Sequence, residues 1–304
     1  MTARGLTSLA MALGLLLGCT GSGSRAVGRA HGRDPVPFVG RVPTQAGRHR
    51  VTLTVDRRER QTEVVVPAAR PGLRPVVIAL RGTGCTPPNL LDEAALLPMA
   101  QLHGALLLAP LPVEQPRGDW DHTDPTCFWN TTDLDPDTNN DILLVRALLS
   151  VAYRDLGGDP TRTYVLGHSN GAFFTVALAS VLRDRFAAMA ANAGGLVPCP
   201  TTASCAFVAN RGTCEDFAAH PNRCRCPGPA RPVPLTRGLP PAFLSHGTAD
   251  PTVTVLYSCA LAAGLRRVGS TVELQLRPGD GHTVDSDFAD RAWAFFARHR
   301  LETP

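Results

Sequence analysis

The stretch Tyr164-Val165-Leu166-Gly167-His168-Ser169-Asn170-Gly171-Ala172 decides how the chain is read. Three apolar residues run into Gly-x-Ser-x-Gly, and Phe173, Phe174, Val176, Ala177 and Leu178 continue in a helical apolar pattern. This is the signature of a strand, a sharp turn and a helix, with Ser169 at the apex. A serine on so tight a turn has strained backbone angles, and Gly167 and Gly171 give strand and helix room to approach. The serine oxygen then projects above the sheet beside the positive end of the following helix. Ser169 is therefore the candidate nucleophile.

Working outward, buried and half-buried strand patterns alternate with helical ones. Val51, Leu53 and Val55 alternate with polar residues as a half-buried strand; Asp56–Gln61 reads as a charged turn and Thr62–Val66 as the returning strand. Pro75–Leu80 is a continuous apolar run, expected of a strand buried on both faces. Leu90–Leu102 has helical spacing, Ala105–Ala109 is strand-like, and Asp141–Leu156 is an amphipathic helix. Beyond the Ser169 turn, strands are expected at Phe186–Ala193, Pro240–His246 and Thr271–Leu276, and helices at Val255–Val268 and Asp285–His299. Such alternation specifies an α/β fold, a mostly parallel central sheet with helices on both faces. Two long excursions interrupt it, Pro110–Asn139 with Trp120, Phe128 and Trp129, and the cysteine-rich insertion at 199–239.

A nucleophilic serine needs a base, and the base an acid to orient it. In α/β-hydrolases the order is serine, acid, histidine. Ser245-His246-Gly247-Thr248-Ala249-Asp250 follows one strand and Gly279-Asp280-Gly281-His282 the next, both at the carboxyl ends where the serine turn opens. Asp250 is thus the candidate acid and His282 the candidate base. Asp280 stands too close to His282 in sequence to reach its ring in line, His246 is expected to pack at its strand end, and His168 to turn away from Ser169. The oxyanion donors are expected to be the backbone N–H of Asn170 and that of Thr83 in the loop Arg81-Gly82-Thr83.

Several segments together, Pro75–Gly84, Asn140–Gly171, Asp184–Gly195, Phe243–Pro251 and Gly279–His282, resemble the polyhydroxybutyrate depolymerase/feruloyl esterase-like family of secreted α/β-hydrolases. The resemblance covers most of residues 50 to 300. It implies an α/β-hydrolase fold, a Ser169-Asp250-His282 triad and hydrolysis of carboxylic esters: short acyl, hydroxycinnamoyl or acetyl polysaccharide, or hydroxyalkanoate esters. Two departures stand out. The family's Leu-His-Gly is Leu80-Arg81-Gly82 here, and its Ser-Asn-Gly-Gly is Ser169-Asn170-Gly171-Ala172. Arg81 and the unmatched insertion leave open a catalytically inactive surface binding protein on the same scaffold, and the triad is equally compatible with a serine peptidase.

The N-terminus reads as a targeting segment. One charge, Arg4, precedes an apolar run from Leu9 to Leu17 that is too short to span a bilayer. Leu16-Leu17-Gly18-Cys19 resembles a bacterial lipobox, so residues 1–18 are expected to be removed and Cys19 lipidated. Residues 19–48, rich in Gly, Ser, Arg and Pro, read as a flexible tether, with the catalytic domain at 49–304. An exported protein anchored to a bacterial membrane by its lipid alone follows.

The cysteine count agrees. Of nine cysteines, removing Cys19 leaves 9 − 1 = 8, an even set suited to disulfides in an oxidising compartment. Cys85, Cys127, Cys199, Cys205, Cys214, Cys224, Cys226 and Cys259 are the candidates, with Cys85–Cys127 expected to tie the oxyanion loop to the aromatic excursion. Composition excludes little else. The 304 residues are 44% hydrophobic and 18% charged, as in a globular protein, and the net charge of +4 comes from arginine alone, the chain having no lysine. No basic run with interleaved aromatics suggests nucleic acid. Asp133–Asp141 looks like a calcium loop but lacks the glycine at its sixth position and the glutamate at its twelfth, where Leu144 stands. No metal or cofactor is expected.

Overall fold

The computed structural model describes residues 36–84, 90–114, 127–131, 133–196 and 233–302, with the pairs 206–207, 214–215 and 224–225. Residues 1–18, Cys19, the tether as far as residue 35, Cys85, Trp120, Cys199, Cys205 and Cys226 lie outside the described residues.

The chain enters through β1 (Phe38–Val39) and forms a hairpin, β2 (Gly47–Val55) and β3 (Arg58–Val66). The connecting turn is Asp56-Arg57, both residues at positive φ (47° and 63°), as a two-residue turn matched to strand twist requires. β4 (Arg74–Leu80) leads to two short helices, α1 (Leu90–Glu93) and α2 (Leu96–His103), then β5 (Leu106–Pro110). β6 (Val113–Glu114) and β7 (Cys127–Phe128) pair within the first excursion. Next come α3 (Asn140–Asp155), β8 (Gly158–His168), α4 (Asn170–Val181) and β9 (Ala188–Asn192). β10 (Ala206–Phe207) and β11 (Cys224–Arg225) pair in the second excursion. β12 (Ala242–Gly247), α5 (Leu256–Arg267), β13 (Val272–Arg277) and α6 (Phe288–Phe296) close the domain.

Nine strands form one sheet in the order β1-β2-β3-β5-β4-β8-β9-β12-β13. The β1, β2 and β3 edge is antiparallel, and every pairing from β5 to β13 is parallel. Side chains alternate across the sheet and divide the core in two. Val165 of β8 faces Ile142, Phe174 and Leu261, so α3, α4 and α5 cover one face. Tyr164 and Leu166 face Leu91, Met99 and Phe295, so α1, α2 and α6 cover the other. Helices on both faces explain why β4 and β5 read as unbroken apolar runs.

Four boundaries differ from the sequence reading. The packed domain starts before residue 49. Val36 and Val42 are buried in the same core as β2, and Phe38 and Val39 pair with Val55 and Thr54. Three valines and a phenylalanine among prolines and glycines carry no periodicity; Val36 and Val42 enter the core and Phe38 packs against it, while Val39 stays exposed. The charged turn shrinks to two residues, because Arg60 belongs to β3 and is fully buried. The helix expected at Leu90–Leu102 breaks at Ala95, which has a positive φ of 53°. The last helix is α6 alone, since Asp285 is drawn away by Arg277 and Arg291.

Among the described residues, a disulfide joins Cys214 to Cys259, tying the cysteine-rich excursion to α5. Cys127 is disulfide-bonded as well. The Gly84 N–H donates to Cys127 O at 2.8 Å, so β7 lies against the loop that follows β4. Among the described residues no helix is long and apolar enough to cross a membrane.

Candidate active site

Ser169 sits between β8 and α4 with φ 54° and ψ −125°, a conformation that non-glycine residues rarely adopt. The turn survives because its flanks are fully packed. A Cβ on Gly171 would run into the carbonyl oxygens of Leu80 and Arg81, and one on Gly167 into Gly171 O. No larger residue fits between the helix and the neighbouring strands, and this is the physical content of the Gly-x-Ser-x-Gly spelling.

Three loops at the carboxyl ends of β8, β12 and β13 bring Ser169, Asp250 and His282 into one line. His282 Nε2 lies 2.9 Å from Ser169 Oγ, and His282 Nδ1 lies 2.7 Å from Asp250 Oδ2. An ionised carboxylate can only accept, which orients the ring: Nδ1–H donates to Asp250 and Nε2 accepts from the serine hydroxyl. Asp250 is 3% exposed. Its Oδ1 accepts the N–H groups of Thr252 and Val253, each at 2.8 Å. Burial alone would push this carboxyl up, but hydrogen bonds from His246, His282 and the two backbone N–H groups outweigh it and hold Asp250 well below the usual carboxylate range. It stays a carboxylate.

The competing candidates, His246, Asp280 and His168, are engaged elsewhere. His246 is fully buried in β12, with Nδ1 2.7 Å from Ser258 Oγ and Nε2 2.8 Å from Val253 O, so it braces the Asp250 loop against α5. Asp280 pairs with Arg277. His168, expected to turn away from Ser169, bonds to β9 and lies beside the candidate base. Its Nδ1 lies 2.7 Å from Asn192 Oδ1, and its ring centroid is 4.9 Å from that of His282. Burial first, and the neighbouring His282 second, lower its pKa from the ordinary 6.5 to about 4. His168 is therefore neutral at neutral pH and puts no second cation beside His282.

That shift has a signed consequence. The folded pKa lies below the unfolded one, so the unfolded chain binds the extra proton first. The contribution of His168 to stability is complete above 6.5 and is lost as pH falls toward about 4. An NMR titration of the imidazole resonances is expected to find His168 still neutral at pH 5; a midpoint near 6.5 would contradict this environment.

On the oxyanion side, Asn170 opens α4, where the first N–H groups of a helix lack intrahelical acceptors. Thr83 lies exposed in the bend after β4. Gly82 approaches Ser169 so closely that a Cβ on it would stand 3.0 Å from the serine Cβ. Trp129 of the first excursion is a packing residue: it is fully buried and stacks on Phe174 of α4 at 5.2 Å.

The acidic run before α3 serves its own backbone. Asn139 Oδ1 caps the helix by accepting from Asp141 N at 2.9 Å and Ile142 N at 3.3 Å. Asp133 and Asp135 accept the N–H groups two residues on, at 3.0 Å and 2.9 Å. Among the described residues no cluster of three or more His, Cys, Asp or Glu side chains is placed to hold a metal ion.

Comparison with known proteins places the family and the fold. The prolyl oligopeptidase family matches residues 141–300, a span that contains Ser169, Asp250 and His282. The chain belongs to that family. Poly(3-hydroxyalkanoate) depolymerase C of Paucimonas lemoignei is 28% identical over 202 residues, which are 62% of this chain and 43% of that protein. The chain thus spans less than half the length of this curated relative. Among solved structures, an S-formylglutathione hydrolase from Agrobacterium tumefaciens superposes with a TM-score of 0.58 at 19% identity, covering 87% of this chain and 99% of that one. An acetyl xylan esterase from Aspergillus awamori gives 0.55 at 16% identity, covering 78% and 94%. A poly(3-hydroxybutyrate) depolymerase from Bordetella parapertussis gives 0.51 at 21% identity, covering 85% and 92%. At these identities the structures establish the fold, which is that of the α/β-hydrolases, and the depolymerase likeness agrees with the family resemblance of the sequence.

The sequence left several supporting residues unmarked: the side chains of Asn170, Asn192 and Ser258, and the buried pair Arg60 and Asp141. Only Arg60 carried a signal, a cation at an inward position of an alternating strand.

Proposed function

We propose that this member of the prolyl oligopeptidase family is a serine carboxylic ester hydrolase, exported and lipid-anchored through Cys19, with Ser169 as nucleophile, His282 as base and Asp250 as its orienting acid. One observation carries the reading, the continuous hydrogen-bonded line Ser169 Oγ–His282–Asp250 at 2.9 Å and 2.7 Å. His282 Nε2 takes the hydroxyl proton as Oγ attacks the ester carbonyl. The imidazolium is stabilised by the Asp250 carboxylate, which its hydrogen bonds keep ionised. The N–H groups of Asn170 and Thr83 hold the tetrahedral oxyanion. His282 returns the proton to the leaving alkoxide, leaving an acyl-serine. Water, deprotonated by the same ring, then attacks the acyl carbon and restores Ser169.

Hydroxyalkanoate esters are the substrate class best supported, because the curated relative is named a poly(3-hydroxyalkanoate) depolymerase. Export draws support from the Leu9–Leu17 run, Cys19 and the disulfide between Cys214 and Cys259. A second reading, a serine peptidase, is favoured by the family's description.

The test offers the full exported chain p-nitrophenyl butyrate, 3-hydroxybutyrate oligomers and peptide p-nitroanilides, with fluorophosphonate labelling in parallel. Ester turnover well above anilide turnover, and label on the peptide containing Ser169, are expected. Faster anilide cleavage would favour the peptidase, and no turnover with no label would eliminate both. Mass spectrometry of the same preparation is expected to find a chain beginning at acylated Cys19; any other N-terminus removes the anchor from the proposal.

A further inference from the structure

Trp129 is buried beyond reach of a substrate, yet both of its N–H groups are spent at the catalytic turn. Its backbone N–H donates to Asn170 Oδ1 at 2.7 Å, and its indole Nε1–H donates to Arg81 O at 2.8 Å. These acceptors belong to the two sides of the oxyanion site. Asn170 contributes a backbone N–H from the start of α4. Arg81 O belongs to the peptide that enters the Gly82-Thr83 bend, where Gly82 meets Ser169. We propose that Trp129 is the positioning residue of the oxyanion hole, holding the end of β4 and the start of α4 at the spacing at which their N–H groups converge on one oxygen. The inference rests on the serine hydrolase reading above and names the part that sets its transition-state geometry.

The physical need is plain. An oxyanion hole works only if its donors are already aimed when charge develops, and displacement of about 1 Å costs on the order of 100-fold in rate. The chain leaves β4 through Arg81-Gly82-Thr83, and a bend containing a glycine does not by itself hold a peptide plane. A hydrogen bond to Arg81 O fixes the tilt of the Arg81–Gly82 peptide. The bond to Asn170 Oδ1 ties the same residue to the first residue of α4. One rigid side chain thus spans two elements that the fold brings together from opposite sides of Ser169.

Trp129 is itself held from three directions. Its ring stacks on Phe174, nearly parallel at 1°. The Gly84 N–H donates to Cys127 O at 2.8 Å on one side. On the other, the Asn130 N–H donates to Asp141 Oδ2 at 2.8 Å, and Asp141 Oδ1 accepts from buried Arg60 at 2.7 Å. The segment 127–131 is therefore a strap anchored on the hydrophobic core and on a buried ion pair, with the two Trp129 N–H donors bonded to the two sides of the site.

Trp129→Phe tests this directly. Phenylalanine keeps the stack on Phe174 and the backbone N–H but removes the donor to Arg81 O. With p-nitrophenyl butyrate, kcat is expected to fall about 10- to 100-fold with KM within about two-fold of wild type. The affinity for a trifluoromethyl ketone, whose bound form places an oxyanion in the hole, should weaken by the same factor. Met99→Ala is the control: it opens the buried core on the opposite face of the sheet from Trp129 and leaves both N–H groups and the stack on Phe174, so Tm should drop while kcat stays within about two-fold. Asn170→Ala gives an independent arm should Trp129→Phe fold poorly, since it deletes the acceptor of the backbone N–H and should likewise lower kcat rather than raise KM. Wild-type kcat in Trp129→Phe, or equal kcat losses in Trp129→Phe and Met99→Ala, would overturn the positioning role and leave the hydrolase reading intact. An inert wild-type enzyme would remove both together.

Discussion

Replacing Ser169 by alanine is expected to lower hydrolysis of p-nitrophenyl butyrate by about 10⁴- to 10⁶-fold, the scale seen when the nucleophile of a triad is removed. The fold should not notice. Ser169 makes no capping hydrogen bond to α4 through its side chain, and alanine meets the same backbone strain at φ 54°. What disappears is the oxygen 2.9 Å from His282 Nε2. Because the three groups act as a unit, His282→Ala should cost about as much, and the double variant should lose little more than either single one. Near-additive losses would mean that the two residues act in separate steps. Retained activity in Ser169→Ala, with unchanged Tm, would refute the nucleophile.

Arg60→Ala is expected to destabilise the protein by about 3–5 kcal/mol, the usual scale for halving a buried ion pair. Arg60 and Asp141 are each 0% exposed at the side chain and meet at 2.7 Å. The guanidinium also donates to Asn140 Oδ1 at 2.7 Å and to Leu111 O at 3.2 Å, so it joins β3, the end of β5 and the start of α3. Burial lowers its pKa and the Asp141 carboxylate works against that; an arginine still keeps its charge. Removing it leaves Asp141 buried with only the Asn130 N–H and helix-terminal contacts. Urea unfolding followed by tryptophan fluorescence should show the loss. A change below about 1 kcal/mol would mean that water or a second cation replaces the guanidinium. Arg60→Met with Asp141→Leu should recover part of the stability, but not the anchor for Asn130. Its kcat should therefore stay low even where its Tm recovers, a coupling that the strap predicts.

Much of the architecture was legible because it depends on local period and on chain order. Unbroken apolar runs at Pro75–Leu80 and Ala105–Ala109, separated by helical spacing, can be satisfied only as parallel strands covered on both faces. The Ser169 turn was legible for a stronger reason. Its first glycine answers a collision, Gly167 against Gly171 O, that any such strand, turn and helix would produce. Asp250 and His282 followed from their place after successive strands, since a parallel sheet opens all its carboxyl-end loops on one side. The N-terminal boundary was not legible. Val36 and Val42 carry no period, and their burial depends on a core assembled from distant parts of the chain.

The sequence by itself determined the order of strands and helices, the tight turn at Ser169 and the two loops able to supply an acid and a histidine. These follow from side-chain volume, periodicity and connectivity, which act over a few residues. Tertiary structure alone decided the neutral state of His168, the burial of the Arg60–Asp141 pair and the clamp of Trp129 on Arg81 and Asn170. Each depends on groups 24, 81 or 41 and 48 residues apart in the chain. Hydrogen-bond direction, dielectric surroundings and charge pairing are properties of that assembled neighbourhood, and no local pattern encodes them.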